Sequence, residues 1–298
     1  MSFIKPAKVF LSISGTLVAI SLVLLVTPGP RLSIDFTGGT MMELGIPEDA
    51  TRDNVAAALE TFENDPPIGN TILSATKDSS VLIRMRDLSN EEHLALVAHF
   101  EETIGEVYER QFTTIGPTVG SSLKKRSAWA LSIAAIAIVL YVAFAFRKVP
   151  RKLSPWRFGV IAVVTLLHDV IITVGIFILI SHYTSFEFDT LFITALLTIL
   201  GYSVNDTIVI FDRIRDNLLN QSNRSDSFAD IAERSLQQSI ARSLNTSIST
   251  LIMLGSLFFL GSESIRWFVL TLMVGAVIGT YSSIFIATPL LVYWKKKN

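Results

Sequence analysis

The chain has 298 residues, of which half are apolar and 17% are charged, with a formal net charge of −1 and a mean hydropathy of +0.50. There is no cysteine, so a disulfide framework is excluded. Soluble domains also reach this apolar fraction, so composition alone leaves the class of protein open. The distribution of charge decides it, because charged residues are missing from several long stretches, as in a protein that crosses a membrane repeatedly.

Six apolar stretches are long enough, or nearly so, to cross a hydrocarbon core, which takes roughly 20 helical residues. They are Val9–Val26, Ser127–Phe146, Phe158–Ser181, Thr190–Phe211, Ser243–Ser262 and Trp267–Trp294. The first resembles a signal peptide, but Thr27-Pro28-Gly29-Pro30 offers no small-x-small cleavage site. We therefore interpret it as a retained membrane anchor.

The distribution of Lys and Arg near the span ends predicts the orientation. With the N-terminus inside, the cytoplasmic segments hold fifteen of these residues, from Lys5 to Lys297, against five on the other side. The cluster Lys124–Arg126 is an exception, because it places three basic residues on the side opposite the cytoplasm. The sequence thus predicts a multi-pass inner-membrane protein with both termini in the cytoplasm.

The segment between the first two spans has the pattern of a folded domain. It holds sixteen acidic and six basic residues between Arg31 and Arg110, a net charge of −10. Alternating and helical apolar spacings, with a Ser89-x-x-Glu92 capping box, give the order β-α-β-β-α-β. The predicted elements are strands Met41–Ile46, Thr71–Thr76, Ser80–Met85 and Val107–Thr114, and helices at Thr51–Phe62 and after Ser89.

This order predicts a small α+β, ferredoxin-like domain in the periplasm. The expected organisation is a first transmembrane helix at 1–30, the periplasmic domain at 31–122 and five transmembrane helices at 123–298. A cytoplasmic loop is expected at 212–242, with a helical stretch from Asp226 that runs into the fifth span or lies at the interface.

Two spans carry ionisable residues well inside, His168 and Asp169 in the third, and Asp206 beside Asn205 in the fourth. A central Asp costs roughly 2.5–3.5 kcal/mol on insertion scales, so these groups must face the bundle interior or water. The position of Asp206 well inside a span favours a proton-coupling role for this residue over that of a structural carboxylate paired with a cation. For His168 and Asp169, a proton relay and a structural interhelical hydrogen bond are equally consistent with the sequence.

Arg242 begins the fifth span and is the nearest candidate cation for Asp206. Its side chain can reach inward from the membrane boundary toward the carboxylate. From spacing alone, an ordinary boundary arginine of the cytoplasmic side is the better interpretation.

Two glycine-bearing segments flank the outer domain. The run Asp35-Phe36-Thr37-Gly38-Gly39-Thr40 lacks the phosphate-loop pattern and precedes a strand, so its glycines indicate turn geometry. The segment from Gly116 and Pro117 to Gly120 indicates a shaped return toward the membrane, and we expect both segments to act as hinges. No nucleophile triad, cluster of metal ligands or nucleic-acid signature is found, so we expect neither an enzyme nor a nucleic-acid-binding protein.

Taken in chain order, these motifs resemble those of the SecF members of the SecD/SecF family, within the resistance-nodulation-division (RND) superfamily. The resemblance covers nearly the whole chain. It rests on Asp35–Thr40, on Gly116-Pro117 to Gly120, on His168-Asp169, on Gly201-Tyr202-Ser203-Val204-Asn205-Asp206-Thr207, on Phe211-Asp212-Arg213, and on Ser239–Thr246 around Arg242.

The resemblance implies a partner, SecD, with each protein contributing six spans to a pseudosymmetric twelve. It implies work with the SecYEG channel and an accessory insertase, on an exported polypeptide in the periplasm, driven by the proton-motive force or by sodium. No cofactor beyond the transported ion is implied. Asp206 matches the family's essential intramembrane aspartate, and Arg242 matches its functional arginine.

Two other functions remain open. Half of an RND-type exporter of small molecules or lipids would share the spans, but those proteins carry much larger outer domains. A non-transporting membrane scaffold would leave the buried Asp206 unexplained.

Overall fold

The computed structural model describes residues 3–4, 6–69, 71–75, 79–146, 155–220 and 227–296. Several basic residues on which the predicted orientation depends lie outside these ranges, among them Lys5, Arg224, Lys297 and those at 147–152. Residues 76–78, the end of the predicted strand Thr71–Thr76 and the turn after it, also lie outside them. The chain forms two compact units. The helical unit contains Met1–Arg31, Trp129–Phe186 and Leu191–Asn298, and the small unit contains Leu32–Ala128 and Glu187–Thr190.

Six helices in the described residues are long and apolar enough to cross a membrane, which confirms the six predicted spans. The first five are α1 (Ala7–Val26), α5 (Pro117–Ala145), α6 (Pro155–Tyr183), α7 (Thr190–Leu219) and α8 (Phe228–Leu260). The sixth spans Glu263–Lys295 and consists of a 3-10 turn, α9 (Arg266–Ser282), a π-helical segment (Ser283–Ala287) and α10 (Thr288–Lys296).

The start of α5 differs from the prediction. The helix begins at Pro117, ten residues before the predicted Ser127, and the Gly120 N–H donates to the Gly116 carbonyl in its first turn. Proline is favoured at the first helical position because its φ is already helical and its missing N–H has no partner to lose there. The segment Gly116–Gly120, for which a shaped return toward the membrane was predicted, therefore contains the start of α5.

The polar stretch before the fifth span is continuous with it. Ser227 caps α8 through a capping box with Asp230, and the helix runs without interruption from Phe228 to Leu260. The helical stretch predicted from near Asp226 therefore runs into the fifth span, which was the first of its two predicted arrangements, and does not lie separately at the interface.

The helical unit packs around aromatic side chains at one end of its helices. The rings of Phe146 and Phe158 are stacked with their centroids 5.2 Å apart, and the ring of Phe211 contacts Phe158 edge-on with a centroid distance of 5.3 Å. These side chains join α5, α6 and α7, and all three are buried. Their contact fixes the position of α7, the helix that carries Asp206.

The small unit follows the predicted order of elements. After a single-turn helix, α2 (Ile34–Thr37), come β1 (Gly39–Gly45), α3 (Arg52–Thr61), β2 (Ile72–Ala75), β3 (Ser80–Met85), α4 (Asn90–Ile104) and β4 (Tyr108–Ile115). The sheet order is β2-β3-β1-β4, with antiparallel neighbours throughout. Met42 and Ile83 on the strands pack with Val55 on α3 and with Leu96 and Phe100 on α4.

The predicted capping box at the start of α4 is present. The Glu92 N–H donates to Ser89 Oγ at 3.2 Å, and the Ser89 N–H donates to Glu92 Oε2 at 2.7 Å. Arg86 Nη2 also donates to Glu92 Oε1 at 2.5 Å, and Asn64 Nδ2 does so at 2.8 Å. The Arg86 hydrogen bond, with the capping bonds, lowers the pKa of Glu92 from 4.5 to about 2.

We predict that Glu92→Gln removes a pH-dependent part of the stability of the small unit. Because the pKa of Glu92 is lowered by folding, its contribution is present above pH 4.5 and is lost as the pH falls toward about 2. Hydrogen-exchange protection factors of the α4 amides in the full chain should be lower in Glu92→Gln at neutral pH. This difference should shrink below pH 4.5, and a difference that stays constant down to pH 2 would contradict the assignment.

Candidate functional site

Asp206 lies on the side of α7 that packs against α8. Tyr202 Oη donates to Ser247 Oγ at 3.0 Å, and further along Arg213 Nε donates to Gln238 Oε1 at 2.7 Å. The two helices run antiparallel between these contacts, so Asp206 lies level with positions 242 and 243 of α8.

The Asp206 carboxylate is buried without full hydrogen bonding. Its residue is 6% exposed, and the Ser243 hydroxyl lies close to it on α8. Even so, Asp206 Oδ2 and Ser243 Oγ both lack a well-aligned hydrogen-bond partner among the described residues. Buried polar groups are nearly always paired, and the exceptions in native proteins often have a functional reason. Asp206 is therefore a candidate for a group that exchanges a proton.

Arg242 faces a different direction from Ser243. Its side chain lines an open cavity of about 440 Å³ between α7 and α8, whose wall also contains Asp212 and Asp216. Those two carboxylates pair with Arg215 and Arg213. Arg242 has no ion pair among the described residues, so the contact with Asp206 that the sequence allowed is not formed in this structure. The reason is geometric, because neighbouring helical positions point about 100° apart and Ser243 occupies the inward one.

Gly201 and Asn205 lie one turn apart on an exposed side of α7. A Cβ added at Gly201 would meet no atom of the described residues within 4 Å. No backbone of the described residues therefore approaches this side of α7 closely at Gly201.

Asp169 is a fully buried carboxylate with several donors. Its Oδ1 accepts from His168 Nδ1 at 2.8 Å, while Oδ2 accepts from Ser203 Oγ at 2.5 Å and from Ser282 Oγ at 2.8 Å. These bonds join α6, α7 and α9. Of the two predicted roles, the geometry favours the structural interhelical hydrogen bond.

The helices around Asp169 approach closely because of a small residue on α9. A Cβ on Gly279 would lie 3.0 Å from Ser203 Cβ. One turn further, Thr207 and Ser283 share a hydrogen bond of 2.9 Å at the start of the π-helical segment. His168 Nε2 is buried and has no hydrogen-bond partner among the described residues.

The serine face of α8 was not predicted from the sequence, although Ser239 and Ser243 lie within the family motif around Arg242. Ser235, Ser239, Ser243 and Ser247 are all buried and recur at every fourth position, which places them on one face of the helix. This spacing is visible in the sequence and could have identified the α8 face that meets Asp206.

The motif that begins at Asp35 has the turn geometry that its glycines predicted. Gly38 and Gly39 have φ of 74° and 124°, and a Cβ on Gly38 would lie 2.9 Å from Pro117 Cα. Phe36 is buried, and Thr37 Oγ1 donates to the Ser33 carbonyl at 3.0 Å.

The carboxylate of this motif was assigned no partner from the sequence. Asp35 Oδ2 accepts from the backbone N–H of Thr190 at 2.9 Å and from its hydroxyl at 2.6 Å. Gly120, at the start of α5, packs against Gly38, since a Cβ there would lie 2.8 Å from the Gly38 nitrogen.

Within the described part of the chain, six apolar helices, the buried carboxylates of Asp169 and Asp206 and a small antiparallel α+β unit define a multi-pass membrane protein with ionisable groups inside its spans. The family described as "Protein export membrane protein SecD/SecF, C-terminal" matches residues 96–297, and the "SecD/SecF GG Motif" matches residues 23–46. The chain belongs to the SecD/SecF family.

Its curated relatives include proteins named "Protein translocase subunit SecF". The one from Thermobaculum terrenum is 40% identical over 278 residues, covering 91% of this chain and 86% of the relative. The one from Desulfurispirillum indicum is 36% identical over 304 residues, covering 99% of this chain and 92% of the relative. These matches place the chain with proteins of Sec-pathway translocation.

Solved structures of SecDF resemble the chain as well. A translocon-associated SecDF from Thermus thermophilus matches with a TM-score of 0.84 and 33% identity over 99% of this chain. A SecDF in a super-membrane-facing form matches with a TM-score of 0.69 and 32% identity over all of it. The chain spans 39% of the length of each of these structures.

We predict that the Asp169 contacts hold α6, α7 and α9 together. Ser203→Ala combined with Ser282→Ala should lower the free energy of unfolding in detergent by about 1–3 kcal/mol, because the buried carboxylate loses two donors. Ser181→Ala is the matched control, since this buried hydroxyl donates to Ile178 of its own helix.

A mutant cycle with Asp169→Ala separates the network from simple loss of packing. Once the carboxylate is removed, the two serine changes should have little further effect on stability. Equal losses with and without Asp169 would contradict the network.

Proposed function

We propose that the chain is the SecF-type subunit of a bacterial SecDF pair, and that it uses the proton-motive force to promote translocation of polypeptides through the SecYEG channel. It acts as a transport subunit rather than an enzyme, with no cofactor beyond the transported ion. The observation that carries this proposal is Asp206, a carboxylate within a membrane-spanning helix whose Oδ2 has no hydrogen-bond partner among the described residues. Ionisable groups inside membrane spans typically mark ion pathways.

The geometry around Asp206 suggests how a proton would act. Arg242 lies level with the carboxylate, has no ion pair among the described residues and lines an open cavity. An ionised Asp206 attracts this guanidinium, and a protonated Asp206 releases it toward the cavity. In this proposal, an Arg242 side chain that lines the cavity without an ion pair is the arrangement expected when Asp206 is protonated.

The energy available is sufficient for such a change. One elementary charge that crosses roughly 100 mV supplies about 2.3 kcal/mol. This amount shifts a two-state equilibrium by more than about tenfold. The two solved SecDF relatives, of nearly equal identity to the chain, match it with TM-scores of 0.84 and 0.69, which supports more than one arrangement in the family.

A protein partner is supported by the exposed side of α7. Asn205 and Gly201 are exposed there within an apolar helix, and a polar amide facing lipid is unfavourable. We propose that SecD covers this side, in keeping with the SecDF names of the solved relatives. SecYEG, an accessory insertase and the exported polypeptide are the further partners of the proposal, with lipids around the spans.

The small unit is proposed to be a ferredoxin-like domain in the periplasm, with both termini of the chain in the cytoplasm of the inner membrane. Its sequence carries a net charge of −10 between Arg31 and Arg110. Like charges repel within about a Debye length, roughly 8 Å at physiological salt, which disfavours approach to anionic headgroups. The domain is thereby kept free to bind an exported chain.

We predict that Asp206→Asn folds and assembles with SecD but fails to support export, because an amide cannot bind and release a proton in this way. Pulse-chase export of a secreted protein in a depleted strain measures this. Asp53→Asn, the same change at an exposed position of α3, is the matched control and should retain proton-driven export. Export at the wild-type level from Asp206→Asn would remove the coupling role, and dependence on a sodium gradient would identify sodium as the ion.

We predict that Arg242 and Asp206 act on one equilibrium. Arg242→Gln and Asp206→Asn should each lower export to the same residual, proton-independent rate, and the double variant should keep that rate. Arg234→Gln, another basic change on α8, is the control. Independent losses that add in the double variant would return Arg242 to the role of a boundary arginine.

A further inference from the structure

The four residues that precede and begin α7 fold with the small unit. Glu187–Thr190 belongs to this unit although it follows α6 in the chain. Phe188 forms a parallel bridge with Leu32, and its carbonyl accepts from the Ser33 N–H at 2.9 Å. The first residue of the helix that bears Asp206 is thus part of the small unit.

Asp35 caps this helix start from a distant part of the sequence. The first N–H groups of a helix lack partners within the helix, and a carboxylate at this end is favourable both as acceptor and as charge. Here Asp35 Oδ2 accepts from both the N–H and the hydroxyl of Thr190, which lies 155 residues further along the chain.

Arg84 forms the second attachment. From β3, its Nη1 lies 2.5 Å from Glu187 Oε1, while Nη2 donates to the Leu32 carbonyl at 2.7 Å and to Thr37 Oγ1 at 3.1 Å. One guanidinium therefore joins the sheet, the segment around Asp35 and the segment before α7. These three pieces of chain, held by Asp35 and Arg84, are called the clasp below.

The glycines of the motif make the clasp possible. A Cβ on Gly39 would lie 2.6 Å from the Met85 carbonyl, directly after Arg84 on β3. Its φ of 124° is also one that residues with a side chain rarely adopt. Any larger residue at Gly39 would push β3, and Arg84 with it, away from α2.

We propose that the clasp is the point at which a movement of α7 is passed to the small unit, with Asp35 and Arg84 as positioning residues. This proposal rests on the proposed function of Asp206. The helix is continuous and contains no proline from Thr190 to Asp206, a length of about 24 Å at 1.5 Å per residue. A shift or rotation of α7 at Asp206 therefore moves Thr190, and the clasp carries that movement to α2 and β3.

The test compares hydrogen exchange in the full chain assembled with SecD in liposomes. Asp206→Asn serves as the permanently uncharged form, and exchange is read in Ile34–Thr37 and Ser80–Met85. The proposal expects Asp206→Asn to change exchange in these segments. The change should be lost in backgrounds carrying Asp35→Ala or Arg84→Gln, and weakened by Thr190→Val, a milder variant that keeps the Asp35 carboxylate and one of its two donors.

Ser89→Ala is the matched control, because it removes the cap of α4 in the same unit without touching the clasp. The response to Asp206→Asn should persist in this background. Loss of the response in Ser89→Ala as well would reduce the effect to general stability and overturn the proposal. A response that persists in Asp35→Ala and Arg84→Gln would overturn the clasp while leaving ion coupling intact. No response to Asp206→Asn in any background would overturn ion-coupled movement itself, and the clasp with it.

Discussion

The cost of placing a carboxylate inside an apolar helix bundle governs the arrangement of the whole helical unit. The two buried aspartates meet this cost differently. Asp169 receives hydrogen bonds from His168, Ser203 and Ser282, and so binds three helices together. Asp206 has an oxygen without a partner in the described residues and a nearby arginine that is turned away. A well-paired group resists change, whereas an incompletely paired one gains most from binding a proton. We therefore propose that Asp169 stabilises the bundle and that Asp206 is the group that can switch it.

The helix α7 gives this switch a mechanical consequence. It holds Asp206 near its middle, donates Ser203 to the Asp169 network and begins at Thr190 in the small unit. A single continuous helix thus contacts Asp169 through Ser203, carries Asp206 and begins at Thr190, which Asp35 caps. Local changes of charge reach distant parts of a protein through rigid elements of this kind, provided the element has two alternative arrangements.

Elements set by local patterns could be predicted from the sequence, and contacts set by tertiary register could not. The six spans follow from apolar length, and the α4 cap follows from Ser89-x-x-Glu92. The start of α5 at Pro117 was not predicted, because the apolar stretch that indicated this span begins only at Ser127, although proline also begins helices. Arg242 was interpreted as a residue at the membrane boundary that can reach inward toward Asp206, but the direction of its side chain depends on the rotation of α8, which the sequence alone does not determine. The partnership of Asp35 with Thr190 spans 155 residues and leaves no local pattern.

Infrared difference spectroscopy of the protein in liposomes shows directly whether Asp206 binds and releases a proton, because the C=O stretch of a protonated carboxyl group is separate from the bands of a carboxylate. If Asp206 is the coupling group, a C=O band should appear on acidification from mildly alkaline to mildly acidic pH. This band should be absent in Asp206→Asn and should persist in Asp169→Asn. An identical spectrum in the wild type and Asp206→Asn over this range would mean that Asp206 does not change its protonation state. That result would contradict the assignment of Asp206 as the coupling group.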